Sequence, residues 1–274
     1  MKAIRLNKFM ENRAGIVIMA VICLSASFLF ADVPGKIIKK DGGEVAGMIR
    51  YQPASKVYSV TTQGGVAMKI ALNDVARVVV RKPATLDSAV AAAQRGQHAA
   101  AMPVLEKIME EYQMLEWDLV AARWLAECYL AKNETRRAED MCEKVIAANG
   151  GKIPAGEFFG VYVKSLIANN KEMKAKKVIQ EVIASGDRLT AAIAQIKRGD
   201  LDKKKGDMKI ALVDGYLRTV ILYADVKEVQ PEALYNTVKC FEQLQQSSYA
   251  DKFRKRLLAE FPKDPYTAKL QQGR

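Results

Sequence analysis

The chain has 274 residues, half of them apolar and about a quarter charged, the composition of an ordinary folded protein of one or two domains. Aromatic residues are sparse and alanine is abundant, which favours close-packed helices over a β-sandwich. The net charge is +12, a balance that in a cytoplasmic protein points first to nucleic acid.

The first segment changes that reading. Lys2, Arg5, Lys8 and Arg13 precede an uncharged apolar run from Gly15 to Phe30. A basic stretch before such a run is the layout of a secretory signal peptide. Ala31 is one candidate for the last residue removed, although Leu29 two residues earlier is larger than ideal, and Ser25-Ala26-Ser27 offers a second site. The run is long for a signal and short for a membrane span, which needs roughly 20 residues. Residues 1–31 therefore read as a cleaved signal or an N-terminal anchor, with a buried helix as a third alternative. Ile22 before Cys23 is too bulky for a lipoprotein site. Either leading alternative places the rest of the chain outside the cytoplasm, in the periplasm or cell envelope, so nucleic acid is not an expected partner. Anionic envelope polymers, lipid head groups or an acidic partner protein are better candidates. Residues 1–31 hold four basic residues and one acidic residue, so the remainder carries +9. That excess also fits a solvated surface.

Residues 32–82 read as a small β-domain. Candidate strands are 36–39, 45–51, 57–61, 66–72 and 76–81, separated by turns at Asp41-Gly42-Gly43, Pro53-Ala54-Ser55 and Gln63-Gly64-Gly65. Val66, Met68, Ile70 and Leu72 alternate with smaller or charged residues, which predicts a strand with one face buried. Five short strands bury little as a flat sheet, so a barrel-like curl is expected, with an open meander packed on the helices as the alternative. Lys40-Asp41-Gly42, Gly47 and Ile70-Ala71-Leu72-Asn73-Asp74-Val75 resemble the SH3-like or Sm-like barrels at the start of some exported bacterial proteins.

Beyond Pro83 the period becomes helical and repeats every 37 residues. Gly96, Asn133 and Asn170 recur at that spacing, as do Ala101, Ala138 and Ala175. So do Leu105, Cys142 and Ile179, and Ile108, Val145 and Val182. Gly or Asn tolerates the left-handed conformation that ends a helix. The alanine five residues on lets a second helix approach the first, and the apolar residues four and seven further share its face. The expected unit is two antiparallel helices joined by a tight turn, with Ala138 buried and Glu139 beside it exposed. Pro103 should delay or bend the second helix of the first unit.

Leu125-Ala126-Glu127-Cys128-Tyr129, Asn133, Ala138, Cys142 and Val145 resemble the tetratricopeptide repeat, as do Tyr162, Val163 and Leu166 one unit later and, less closely, Ser88, Ala89 and Ala92 one unit earlier. The resemblance implies a mainly α fold, a solenoid of about five helix pairs over residues 84–265 behind the β-domain, the fourth pair distorted. Within it, Leu189–Lys197 reads as a short helix and residues 200–207 as a charged loop. Ile210–Tyr223 reads as a helix with Ile210, Val213, Leu217, Val220 and Ile221 on one face. Pro231 opens a helix to Leu244 with Leu234, Val238 and Phe241 inward, and a last helix runs from Ser248 to Phe261, ending in Leu257-Leu258-Ala259-Glu260-Phe261-Pro262. Residues 266–274 read as a C-terminal tail.

Residues that carry chemistry are few. His98, the single histidine, sits beside the Gly96 turn, so the usual Ser-His-Asp or Cys-His arrangements would all depend on it. The cysteines are not in metal spacing, and no glycine-rich phosphate loop is present. No catalytic, cofactor or metal site is expected, and the chain reads as a scaffold rather than an enzyme. Beyond residue 31 three cysteines remain, an odd number. Cys128 and Cys142 read as buried thiols, with a disulfide across their hairpin as the alternative.

In tetratricopeptide repeats the first helix of each pair lines the concave groove. By position, the resemblance places Arg123, Glu127 and Leu130 on that wall, with Lys164 and Ile167 beside them. Arg123 and Lys164 would together hold a carboxylate of a peptide partner, unless Glu127 pairs with one of them. A second candidate surface is a basic patch of Lys174, Lys176 and Lys177 with Lys203, Lys204 and Lys205, suited to an anionic envelope polymer or membrane surface, or else simply solvated.

Overall fold

A computed structural model describes residues 32–185 and 187–272. The expected signal or anchor at residues 1–31 lies outside the described residues.

The N-terminal domain is a five-stranded antiparallel sheet: β1 (Val33–Lys39), β2 (Glu44–Gln52), β3 (Val57–Thr61), β4 (Ala67–Ala71) and β5 (Val75–Val80), ordered β4-β3-β2-β1-β5. A 3-10 turn, Leu72–Asp74, separates the last two strands. The alternation of side chains puts Val33, Ile37, Ile49, Tyr51, Tyr58, Val60, Val78 and Val80 on one buried face. Tyr51 lies opposite Tyr58, their ring centroids 5.0 Å apart. Gly35 and Gly47 face each other on β1 and β2, and a Cβ on Gly47 would sit 2.3 Å from the Thr61 carbonyl oxygen. The strand around Ile70 is less buried than its alternation predicts. Ile70 alone is buried, whereas Val66 and Met68, near the start of the edge strand β4, stand exposed.

The sheet's core is completed from outside. The segment between the first two helix pairs carries Leu115, 1% exposed, into the apolar cluster of the sheet, flanked by Tyr112, Met114 and Trp117. The Tyr58 hydroxyl donates to the Met114 carbonyl at 3.0 Å, and the Trp117 indole N–H donates to the Val80 carbonyl at 3.3 Å. The β-domain is thereby docked onto the helices through the α2–α3 linker and the first residue of α3.

Helices α1 (Leu86–Gln94) and α2 (His98–Glu111) form the first pair, α3 (Trp117–Ala131) and α4 (Thr135–Ala148) the second, and α5 (Glu157–Ala168) and α6 (Glu172–Ser185) the third. The fourth pairs α7 (Arg188–Lys204) with a rod of three segments: α8 (Met208–Ile210), a π turn (Ala211–Leu217) and α9 (Arg218–Leu222). The fifth is α10 (Gln230–Gln243) with α11 (Ser247–Glu260), and α12 (Pro265–Gln272) follows.

All five pairs turn by one device. Gly96, Asn133, Asn170, Gly206 and Gln245 each have φ between 58° and 88°. In each case the next residue donates its N–H to a carbonyl five residues back: Gln97 to Ala92, Glu134 to Tyr129, Lys171 to Leu166, Asp207 to Asp202 and Gln246 to Phe241. This is the Schellman closure, which satisfies carbonyls that the helix end leaves open. Five residues beyond each turn residue stands an alanine, and Ala101, Ala138, Ala175, Ala211 and Ala250 are all at most 1% exposed. The repeat thus continues through two further pairs, at spacings of 36 and 39 residues, where the sequence reading saw three.

Several expectations need correction. Residues 200–204 are not a loop: α7 continues through them because Leu201, 3% exposed, is on its buried side, and the chain turns only at Gly206. In the following rod Val220 is buried, but Ile210, Val213 and Ile221 are exposed. The side that faces α7 is instead Ala211, Leu212, Gly215 and Tyr216, since small residues allow the closer approach: a Cβ on Gly215 would lie 2.4 Å from Gly199 Cα. Pro103 does not delay α2, which starts at His98. Glu139 is 3% exposed rather than solvated. Its carboxylate accepts from Asn169 Nδ2 at 2.8 Å and Lys171 Nζ at 2.5 Å, so it pins α4 to the next turn. Residues 265–272 form a helix packed on α10 where a tail was expected. Cys128 and Cys142 are the buried free thiols that were expected, and Cys240 is a third.

Candidate interaction face

The first helices of consecutive pairs, α1, α3, α5 and α7, pack side by side, so positions that recur with the repeat stack into rows. Counted back from the turn residue, Glu127, Lys164 and Asp200 all stand six residues before it, and Arg123 and Tyr235 ten. These rows form one face of the stack, and ion pairs cross it from helix to helix. Lys164 Nζ lies 2.5 Å from Glu127 Oε2, and Arg123 Nη2 lies 2.9 Å from Glu157 Oε2. The Arg123 guanidinium also covers the Trp124 ring at 4.2 Å. Leu130 and Ile167 are half-buried and pack against the core below this row.

All five expected groove residues therefore share α3 and α5, but the two cations do not converge on an open site. Each already holds a carboxylate of its neighbouring helix, and Glu127 pairs with Lys164.

The two lysine groups lie at one end of the stack, where α6 begins and α7 ends. Lys205 reaches Glu172 at 3.9 Å. Lys204 donates to the Ile167 carbonyl and to Asn170 Oδ1, which closes the C-terminal end of α5. Lys174 is 2.5 Å from Glu143, and Lys177 is 3.9 Å from Glu181. Lys176 and Lys203 make no ion pair among the described residues. Most of the patch is thus committed to carboxylates or helix ends.

Further along the same face is a cluster that sequence reasoning missed. Lys197 on α7, its side chain 10% exposed, bridges Asp200 Oδ2 at 3.0 Å and Glu232 Oε1 on α10 at 2.7 Å. Burial alone would depress this ammonium, but the two carboxylates outweigh it and hold the lysine well above its ordinary value. The Tyr216 hydroxyl donates to Asp200 Oδ1 at 2.8 Å. The signal was present in the register, because Asp200 stands six residues before Gly206 as Glu127 does before Asn133. Reading residues 200–207 as a loop hid it.

At the junction with the β-domain, a cavity of about 220 Å³ is lined by Met109, Met114, Leu119, Val145 and Ala148 together with Asp118 and Lys144. Burial pushes the Asp118 carboxyl up to about 6, against hydrogen bonds from the backbone of Met114 and Leu119 that lower it. Burial likewise raises the Cys142 thiol to about 12 and the Cys240 thiol to about 11. Among the described residues no cluster of His, Cys, Asp and Glu could hold a metal ion, and no helix is long and apolar enough to cross a membrane.

A family model described as the tetratricopeptide repeat matches residues 87–155. The helical stack is tetratricopeptide-like. The matched residues span α1 to α4, and the same turn and the same buried alanine carry the repeat through α11. No curated relative matches the chain. Solved structures that resemble it include several distant in sequence. One, from Podosopora anserina and described by its nearly identical TPR-like repeats, is 15% identical; the match covers 68% of this chain and 95% of that one, with a TM-score of 0.43. YrrB, a TPR protein with an unusual peptide-binding site, is 14% identical over 68% of this chain and 90% of its own, with a TM-score of 0.37. PilW, a widely conserved type IV pilus biogenesis factor, is 14% identical over 69% of this chain and 100% of its own, with a TM-score of 0.39.

Proposed function

We propose that the chain is a non-enzymatic scaffold that binds a protein or peptide partner along the face of its first helices. One observation carries this reading: counted from their shared turns, the second to fifth helix pairs align Arg123, Glu127, Lys164, Asp200 and Tyr235 into rows on one face, the arrangement by which repeat proteins present an extended binding surface. The tetratricopeptide repeat commonly mediates protein–protein interaction, and the match over residues 87–155 supports the assignment. In this reading the β-sheet is an SH3-like module that caps the first two pairs, and residues 1–31 deliver the chain to the cell envelope as a signal or an anchor. A fusion of residues 1–35 to a reporter tests delivery; a reporter retained in the cytoplasm overturns it and reopens nucleic acid as a partner.

The test of the scaffold reading is capture from envelope extract by the parent chain and by a chain with Arg123→Ser and Lys164→Ser. Loss of a captured protein by the variant, with its helical content intact, is the expected result. Equal capture by both chains removes this face from consideration. A second reading, charge-driven binding of an anionic envelope polymer or membrane surface, is favoured by the lysines gathered at the α6–α7 end. It predicts capture that weakens steeply with salt, whereas a packed groove does not.

A further inference from the structure

Among the described residues, the helix that follows the fifth pair, α12, is not joined to a second helix. α12 packs on α10, and within it Thr267 is 1% and Leu270 3% exposed. The Tyr266 ring lies 5.4 Å from that of Tyr235. Tyr235 stands ten residues before its turn residue, the position that Arg123 holds in the second pair, and Glu232 stands thirteen before it, the position of Glu157 in the third. α12 is therefore seated on the row of residues proposed above to meet a partner. The surroundings of the Tyr266 hydroxyl agree: burial and Glu232 raise it, Lys197 opposes, and Asp200 and then Glu127 raise it further. Every one of these charges stands on a first helix, from α3 to α10. The Lys269 ammonium lies 4.8 Å from the centre of the Tyr266 ring, on the helix's own outer side.

We propose that α12 is a tethered occupant of the partner-binding face. It fills the C-terminal end of that face as a helical peptide with an aromatic residue followed four residues later by a leucine would fill it, and such a peptide binds there when α12 leaves. The inference rests on the scaffold reading and names the chemistry of its ligand. α12 suits this role because eight residues are too few for a helix stable by itself, so it is held by its few side-chain contacts. Segments with few buried contacts open at lower cost than the stack beneath them. When it leaves, the Lys197–Asp200–Glu232 cluster and the Tyr235 ring remain as a polar and aromatic floor.

The probe is a fluorescent synthetic peptide with the natural sequence of residues 262–274. It is titrated into the parent full chain and into the full chain carrying Tyr266→Ala and Leu270→Asp, which ejects α12. The variant is expected to bind the peptide at least tenfold more tightly than the parent, and the same peptide with alanine for its tyrosine loses that binding. Equal binding by variant and parent, with helical content retained, overturns the proposal. A variant that loses its helical stack overturns it too, since α12 would then be an integral part of the fold. Hydrogen exchange on the parent chain gives a separate reading: amides of residues 265–272 are expected to exchange at least tenfold faster than those of 230–243, and equal protection overturns the idea of a displaceable helix. The extract experiment and the peptide experiment fail independently, because the second needs no external partner.

Discussion

Glu127 and Lys164 occupy the same position of successive repeats, 37 residues apart, and close a 2.5 Å ion pair across the interface between α3 and α5. A repeat whose equivalent residues carry opposite charge uses its own periodicity as a zip. Both side chains are partly exposed, so the pair is worth roughly 0.2–1 kcal/mol. Lys164→Glu should lower the melting temperature by more than Lys164→Ala does, because it sets two carboxylates opposite each other. Combining it with Glu127→Lys should restore most of the loss. Thermal unfolding at low and high salt checks this, with the difference shrinking as salt rises.

The shared turn device leads to a second expectation. Gln245 adopts φ 58° in the position that Gly96 and Gly206 fill at 78° and 88°. A side chain in that region is strained by its Cβ, and glycine relieves the strain while loosening the unfolded chain. Gln245→Gly should stabilise the protein by roughly 0.5–1 kcal/mol, whereas Gly206→Ala should destabilise it by about 1 kcal/mol. Chemical denaturation of the two variants tests the pair, and a loss of stability in Gln245→Gly would contradict the strain argument.

Ala138→Phe should cost roughly 1–3 kcal/mol by overpacking the contact within the second pair. The neighbouring position is not silent. Glu139→Ala would leave Lys171 and Asn169 without their shared acceptor, and a cost of about 1–3 kcal/mol is expected. Arg136, which is exposed on the same helix, should tolerate alanine with little change. Melting temperatures of the three variants test this ranking.

Much of this was legible because the tetratricopeptide-like repeat writes the same residue type into the same place. Gly96, Asn133 and Asn170, each followed five residues later by alanine, gave the turn and the close helix contact without reference to a structure. The fourth and fifth pairs were expected, but not their place in the register, because their turns fall at spacings of 36 and 39 residues and Asp200–Asp207 is rich in charge. Local composition there resembles a loop, while the buried Leu201 and the turn at Gly206 decide otherwise. Glu139 misled for a related reason. Its type predicts exposure, but its partners come from a turn thirty residues away, which periodicity along one helix does not reveal. The pairing of Glu127 with Lys164 was open in the sequence as an alternative, whereas Glu157 as the partner of Arg123 could be read only from the packing of α3 on α5.

Asp118 supplies a pH test. Its carboxyl rises from 3.8 to about 6 on folding, chiefly through burial. The folded chain therefore holds a proton that the unfolded chain has lost between those values. The stability this group contributes is complete below about pH 4 and is lost as pH rises through 6. Asp118→Asn keeps an acceptor for the Met114 N–H and removes the charge. The variant should be more stable than the parent at pH 7, by roughly 1–3 kcal/mol, and no more stable at pH 4. An advantage independent of pH would rule this account out.

Leu115 has a consequence for how the chain comes into being. The sheet spans residues 33–80, but the side chain that fills its open face is encoded thirty-five residues past its last strand, in the linker between α2 and α3. During synthesis from the N-terminus the strands emerge first and wait, their apolar face uncovered, until the whole first helix pair has followed. A fragment that stops at residue 82 is thus expected to expose apolar surface and to aggregate, whereas one that extends through α4 should stay in solution. The boundary drawn by secondary structure at Pro83 is not the boundary of a folding unit.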